Sequence, residues 1–245
     1  MSDISLSKTR SPAIPGWNTE ILSYIRKVGT IAGKDLLTEW RGKEVVTATL
    51  VFALLTVVIF NFAFDLQRVE LDVVVPGMLW VAFTFSGTLG LNRSFAVEKD
   101  RGSLSGLMLA PVDRSAIYLG KTAANLILML LAEAVMLPLF AIFFNMSFAR
   151  LVSTIPVVLL GTAGFVAVGT LLAAVSIHTR AREVLLPVLL FPMLLPVIIV
   201  AVQATGSLIR GTTLTSLGSE IGVLVAYDVI LLTVAWLTFE YVVEA

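Results

Sequence analysis

The sequence predicts an all-α integral membrane protein with six transmembrane helices, and three observations carry that prediction. First, 58% of the 245 residues are hydrophobic and only 14% are charged, with a mean hydropathy of +0.96; a soluble domain carries about 25% charged residues. Second, six apolar runs approach the roughly 20 residues that a helix needs to cross a hydrocarbon core: Val45–Phe64, Val73–Asn92, Ala116–Phe144, Leu151–Ser176, Val184–Ala204 and Ile221–Val243. Third, the net charge of zero hides an asymmetry. Of the 17 Lys and Arg residues, only Arg68, Arg150 and Arg210 fall in the first, third and fifth connections, and the rest lie in the N-terminal arm and at the second and fourth. The positive-inside rule therefore places both termini and the second connection in the cytoplasm, an N-in/C-in arrangement that suits an even number of spans.

Residues 1–17 are rich in Ser, Pro and charge and are expected to form a disordered cytoplasmic arm. Over residues 18–44, Ile21, Ile25, Val28, Ala32, Leu36 and Trp40 recur at three- and four-residue spacing, with Lys27, Lys34 and Arg41 elsewhere. That pattern describes an amphipathic helix in the cytoplasmic interface. It reads either as a lever or rim helix against a partner or as a simple interfacial anchor. No apolar core of signal-peptide type occurs in the first forty residues, so the first span is expected to be retained as the membrane anchor. Residues 45–245 then form one six-span domain.

Within the spans, small and polar residues stand out. Gly87 and Gly90 in the second span, and Gly161, Thr162, Gly164 and Gly169 in the fourth, leave faces on which helices can approach closely. Glu133 lies deep in the third span with Pro138 about a turn later, and Asp228 lies in the sixth. Insertion scales assign about 2.5–3.5 kcal/mol to a charged residue such as Asp at a span centre, so each acid should face the bundle or water. Each reads as a gate or substrate-path residue or as a structural acid, and two acids that met would suggest a proton relay. Pro187, Pro192 and Pro196 in the fifth span each remove a backbone donor, which marks that helix as the one to kink or open during a cycle. Thr205–Glu220, rich in Gly, Ser and Thr, reads as the longest outer connection, with room for a short interfacial or re-entrant element.

Between the second and third spans, Ser94–Pro111 is charged in its first half and apolar in its second. Phe95, Glu98, Gly102, Leu104, Leu107 and Pro111 give F-x-x-E-x-x-x-G-x-L-x-x-L-x-x-x-P, too polar to span a bilayer. Leu104, Leu107 and Met108 would share one face of a helical turn or two. Pro111 disfavours helix at Ala110, and Asp113 is placed to cap the helix that follows. A short amphipathic helix slung between two spans has the form of a docking element.

Several chemistries are excluded. The chain has no cysteine, hence no disulfide, thiolate metal site or thiol redox chemistry. No G-x-x-x-x-G-K-[ST] occurs; the nearest approach, Gly29–Asp35, has the wrong spacing. H-E-x-x-H and nucleophile-elbow motifs are also missing, so no catalytic or metal-binding residues are assigned and the chain is not read as an enzyme by itself. His178, in HTRAR, is a conceivable heme ligand or pH sensor, but beside Arg180 and Arg182 it reads as part of a solvated loop.

The stretch PGMLWVAFTFSGTLGLNRSFAVEKDRGSLSGLMLAP (Pro76–Pro111), followed by Tyr118-Leu119-Gly120-Lys121, resembles the CcmB family, the membrane subunit of the cytochrome c maturation ATP-binding cassette (ABC) transporter, often called heme exporter protein B. KDLLTEWRGKE (Lys34–Glu44) and the Pro-rich fifth span are also similar to that family. The resemblance implies a six-span permease in the bacterial inner membrane, present in two copies. It would dock on a CcmA-type ATPase and work with CcmC, CcmD and the heme chaperone CcmE. It further implies that ATP is bound by the partner, that no cofactor is held directly, and that heme is handled as cargo. Glu98, Gly102, Ser103, Leu104, Leu107, Met108 and Pro111 match the family's cytoplasmic segment, whose implied role is ATPase docking. Membrane lipid is an expected partner and nucleic acid is not. Two other readings stay open: an exporter permease for another amphipathic cargo such as a lipid or drug, and a membrane scaffold that transports nothing.

Overall fold

The computed structural model of the chain describes residues 17–63, 70–100, 112–176, 179 and 182–244. Among these every regular element is helical: α1 (Trp17–Gly42), α2 (Glu44–Ala63), α3 (Leu71–Asp100), α4 (Arg114–Phe143), α5 (Phe148–Ser153), α6 (Ile155–Ser176), α7 (Arg182–Ile209), a 3-10 turn (Leu214–Leu217) and α8 (Gly218–Glu244). Six of them, α2, α3, α4, α6, α7 and α8, are long and apolar enough to cross a membrane.

The bundle is built around α6. Over an 18-residue apolar stretch of this span 78% of the residues are buried, against 11% of the corresponding stretch of the span containing α8, so α6 is the helix the others enclose. It packs on α3, α4, α7 and α8, while α2 lies at the rim against α3 and α4. Lipid offers helices no hydrophobic gain for associating with one another, so they hold together by close packing and polar contacts. The small residues of α6 supply the first. A Cβ at Gly161 would stand 2.1 Å from Trp80 of α3, and one at Gly169 would stand 2.3 Å from Leu91. On α3, Gly87 faces Phe165 and Met129 in the same way. Polar stitches supply the second: Trp80 Nε1 donates to Thr205 Oγ1 at 3.0 Å, Tyr118 OH to the Ala167 carbonyl at 2.9 Å, and Asn125 Nδ2 to Thr170 Oγ1 at 3.2 Å.

The three prolines of the fifth span lie inside α7, whose helical assignment runs unbroken from Arg182 to Ile209. Its inward stripe is Leu186, Leu190, Leu194, Val197, Ala201, Ala204 and Leu208, each at most 2% exposed. That three- and four-residue spacing buries one face of the helix. Pro187 is half-buried and Pro192 and Pro196 are exposed, so the sites of lost backbone donors avoid this packed stripe.

Three boundaries differ from the sequence reading. The second span continues as helix to Asp100, carrying the charged residues after Asn92 on its final turns. The run expected to begin at Leu151 is divided at Thr154 into α5 and α6. Pro156 explains this break, since it has no N–H to offer the Val152 carbonyl and is tolerated where it stands, in the first turn of α6. Thr205 belongs to α7 rather than to the connection that follows. It is fully buried, and packing against α3 outweighs the Gly/Ser/Thr composition that suggested an early end.

Candidate functional site

Two clusters bear on function, one at the opening turns of α4 and one deep within it. The first joins α1 to the bundle. α1 lies along the opening turns of α4, with Ile31 against Gly120, where a Cβ would come within 2.8 Å of it. Tyr24 OH donates to Ser115 Oγ at 3.0 Å and accepts from Trp236 Nε1 of α8 at 3.5 Å. Lys27 Nζ lies 3.5 Å from Asp113 Oδ2, an exposed pair of the kind worth about 0–1 kcal/mol. The pair between Lys121 Nζ and Asp35 Oδ2, at 3.3 Å, is different, because the Lys121 side chain is 1% exposed and that of Asp35 13%. Such a pair fixes geometry, since removing one partner leaves a buried charge to be accommodated. At the other end of α1, Lys43 has φ 53° and the Val46 N–H donates to Glu39 Oε1 at 2.8 Å, which ties the turn to the start of α2.

On α1 the residues turned inward include Val28, Ile31, Ala32, Asp35 and Leu36, while Ile21, Ile25 and Trp40 of the apolar periodicity stay exposed. Asp35 lies on the same face as Val28 and Ala32, at i+7 and i+3, so counting helical positions marks it as inward. The apolar pattern alone passes over it.

The second cluster surrounds Glu133. Its side chain is 2% exposed, and Oε1 accepts a hydrogen bond from Thr162 Oγ1 of α6 at 2.8 Å. Oε2 has no hydrogen-bond partner. Leaving a buried polar atom unsatisfied costs about 1–3 kcal/mol, and more if it is charged. Asp228 of α8 is half-buried and meets the other side of α6, where a Cβ at Gly164 would stand 2.4 Å from its Oδ1. Positions 162 and 164 are about 200° apart around a helix. The two acids therefore approach opposite faces of α6 and do not meet, which removes the basis for a direct relay between them.

Glu133 also lines a groove of about 330 Å³ between α4, α5 and α6. Its walls include Leu130, Leu137, Phe148, Val152 and Leu159, and the last three are exposed on the outer surface of the bundle. Pro138 lies in the same groove and has no N–H to donate to the Ala134 carbonyl one turn before it.

Of the expected docking residues, Glu98 falls in the last turns of α3. Gly102, Ser103, Leu104, Leu107, Met108 and Pro111 lie outside the described residues, as does His178. The described chain resumes at Val112, and Asp113, Ser115, Gly120 and Lys121 then form the α1 contacts. The helix that follows the segment expected to dock is thus the one on which α1 is braced.

The family model described as CcmB protein matches residues 26–244, nearly the whole helical bundle. The chain belongs to the CcmB family. It is similar to heme exporter protein B of Rhodobacter capsulatus, with 30% identity over 150 residues, covering 61% of this chain and 69% of that protein. The protein of the same description from Pseudomonas aeruginosa is 27% identical over 162 residues, covering 66% and 73% respectively. That from Haemophilus influenzae is 28% identical over 171 residues, covering 70% and 77%. The CcmB match begins at Arg26, inside α1, so the Lys27–Asp113 and Asp35–Lys121 pairs both fall within it.

Proposed function

We propose that the chain is the membrane permease subunit of an ABC transporter for cytochrome c maturation. It couples ATP hydrolysis on a separate CcmA-type ATPase to the handling of heme and the release of a heme-loaded CcmE-type chaperone, with CcmC and CcmD in the same complex. The observation that carries this reading is the CcmB match over residues 26–244, on a bundle with six membrane-length helices. The charge asymmetry supports an inner-membrane orientation with both termini cytoplasmic. In that orientation α1, the docking segment and the Lys121–Asp35 pair lie on the ATP side.

The chain has no P-loop, so ATP must act through a partner. In the proposed mechanism the ATPase presses on the segment from Glu98 through Gly102, Ser103, Leu104, Leu107 and Met108 to Pro111. Displacement passes into α3 on one side and α4 on the other. The α1 brace makes the opening turns of α4 move with α1 rather than fray away from it. Movement of α4 then reaches Glu133, whose bond to Thr162 ties α4 to the central helix. Glu133 acts as a gate residue, Asp228 as a second polar contact on α6, and α7 with Pro187, Pro192 and Pro196 as the helix that deforms. Two copies of the chain complete the transporter.

The test is to solubilise the full chain from its native membrane in mild detergent and identify the proteins bound to it by mass spectrometry. An ATPase subunit together with heme-chaperone partners is expected. An ATPase with no heme-handling protein would indicate transport of another amphipathic cargo, and recovery of neither would point to a scaffold.

A further inference from the structure

At the helical turn of roughly 100° per residue, α1 has three faces. Val28, Ile31 and Asp35 meet Gly120 and Lys121 of α4. Leu22, Ile25 and Trp40 form an apolar flank, each more than half exposed. Arg26, Lys27, Thr30 and Lys34 form a cationic flank beside it. Apolar side chains so exposed on an amphipathic helix of a membrane protein belong in lipid, and Trp and Tyr gather at headgroup level. Trp40 and the contact of Trp236 Nε1 with Tyr24 OH at 3.5 Å set α1 at that level, so the cationic flank lies at the height of lipid phosphates.

That flank is hollow. A groove of about 720 Å³ is bounded by Leu22, Arg26, Lys27, Ile31 and Lys34 of α1 and by Val112 just before α4. Ser23 and Thr30 also border it, but their hydroxyls donate to carbonyls of α1 itself, so positive charge defines its chemistry. Lys27 lies 3.5 Å from Asp113 and Lys34 3.1 Å from Asp35. Arg26 is exposed and has no acid within ion-pair distance among the described residues. Leu22, Ile31 and Val112 supply an apolar floor, which Leu22 carries round to the lipid-facing flank. A cation beside an apolar floor that opens toward lipid fits an anion with hydrocarbon attached better than it fits an acidic peptide.

We infer that this groove is a binding site for an anionic phospholipid, with the headgroup phosphate on Arg26 and Lys27 and the first acyl carbons against Leu22, Ile31 and Val112. A lipid held there touches both α1 and the start of α4, and reinforces the brace between them from outside. The site does not depend on which ATPase or cargo the chain serves.

The experiment is photolabelling of the purified full chain in phosphatidylcholine nanodiscs with a phosphatidylglycerol that carries a diazirine close to its glycerol, beside a phosphatidylcholine carrying the same group. The phosphatidylglycerol should label peptides spanning Leu22–Lys34 saturably, and excess unlabelled phosphatidylglycerol should compete it away. Soluble glycerol phosphate, which has no chains for the apolar floor, should not. A basic residue near the membrane surface contributes about 1 kcal/mol to holding an anionic lipid, or roughly fivefold in affinity. Arg26→Gln lies outside the α1–α4 contacts and should therefore raise the half-saturating mole fraction about fivefold, and Arg26→Gln with Lys27→Gln about thirtyfold. Arg41→Gln is the control. Arg41 lies roughly 22 Å further along the helix, more than two Debye lengths at physiological salt, and its loss should leave labelling of the groove unchanged. Equal labelling by the two lipids would overturn the inference and leave the flank to a soluble acidic partner. No change with Arg26→Gln, or the same loss from Arg41→Gln, would mean diffuse attraction to a basic helix and would overturn it too.

Discussion

Gly161 and Thr162 are neighbours on α6 with unlike tasks. A Cβ at Gly161 would stand 2.1 Å from Trp80 Cη2, and Trp80 cannot swing away without giving up its bond to Thr205. Gly161→Val should therefore destabilise the bundle by about 1–3 kcal/mol, the usual range for overpacking, read as a lower midpoint in thermal unfolding in detergent. Thr162→Val keeps the shape but removes the donor to Glu133, leaving both carboxyl oxygens unpaired. A loss of about 1–3 kcal/mol is expected from that change. Glu133→Gln separates gate from scaffold: if Glu133 gates, cytochrome c assembly persists while coupled ATPase activity falls, and normal coupled activity would return Glu133 to a structural role. The sequence already marks Gly161, Thr162 and Gly164 as a close-packing face. It does not show that Thr162 and Gly164 look in opposite directions at Glu133 and Asp228, because that depends on which helices flank α6.

The elements were legible wherever hydrophobic length or period decides them. All six spans and α1 lie within a few residues of where apolar patterning puts them, apart from the ends that tertiary contacts move. Thr205 stays helical because Trp80 holds it, and the break at Thr154 follows from Pro156, a local signal inside a long apolar run. The α1 brace was less legible. Lys121 looked like one more basic residue at a span end, and only the fold buries it on Asp35. Asp35→Ala should loosen α1, with a cost of up to about 3–5 kcal/mol from exposing the buried ammonium to an environment without its carboxylate. The readout is faster amide exchange along α1 and new protease cleavage within it. Asp35→Leu combined with Lys121→Met should recover much of the loss, because replacing a buried pair by apolar side chains is often neutral.

For the whole molecule, orientation and coupling are the proposals that matter. The absence of cysteine makes topology directly measurable. Single cysteines at Ser23 on α1 and Thr213 at the opposite end, both exposed, should differ in reaction with a membrane-impermeant maleimide. Thr213→Cys should label in intact spheroplasts and Ser23→Cys only after permeabilisation; the reverse pattern would invert the assignment of the ATP side. The overall architecture was readable because a bilayer admits few solutions: every backbone group must be satisfied within a helix or a closed barrel. Which helix sits at the centre was not, since α6 and α7 are both strongly apolar and only α6 has the small residues that let four neighbours close around it. In the proposed mechanism, force from a separate ATPase enters through Ser94–Pro111 and passes to α4. Its most direct measurement is co-purification of the ATPase subunit with the Glu98→Ala, Leu107→Asp double variant, alongside cytochrome c assembly in the same cells. The variant should insert normally but lose both the bound ATPase and the assembled cytochrome, and retention of both would mean that force does not enter through this segment.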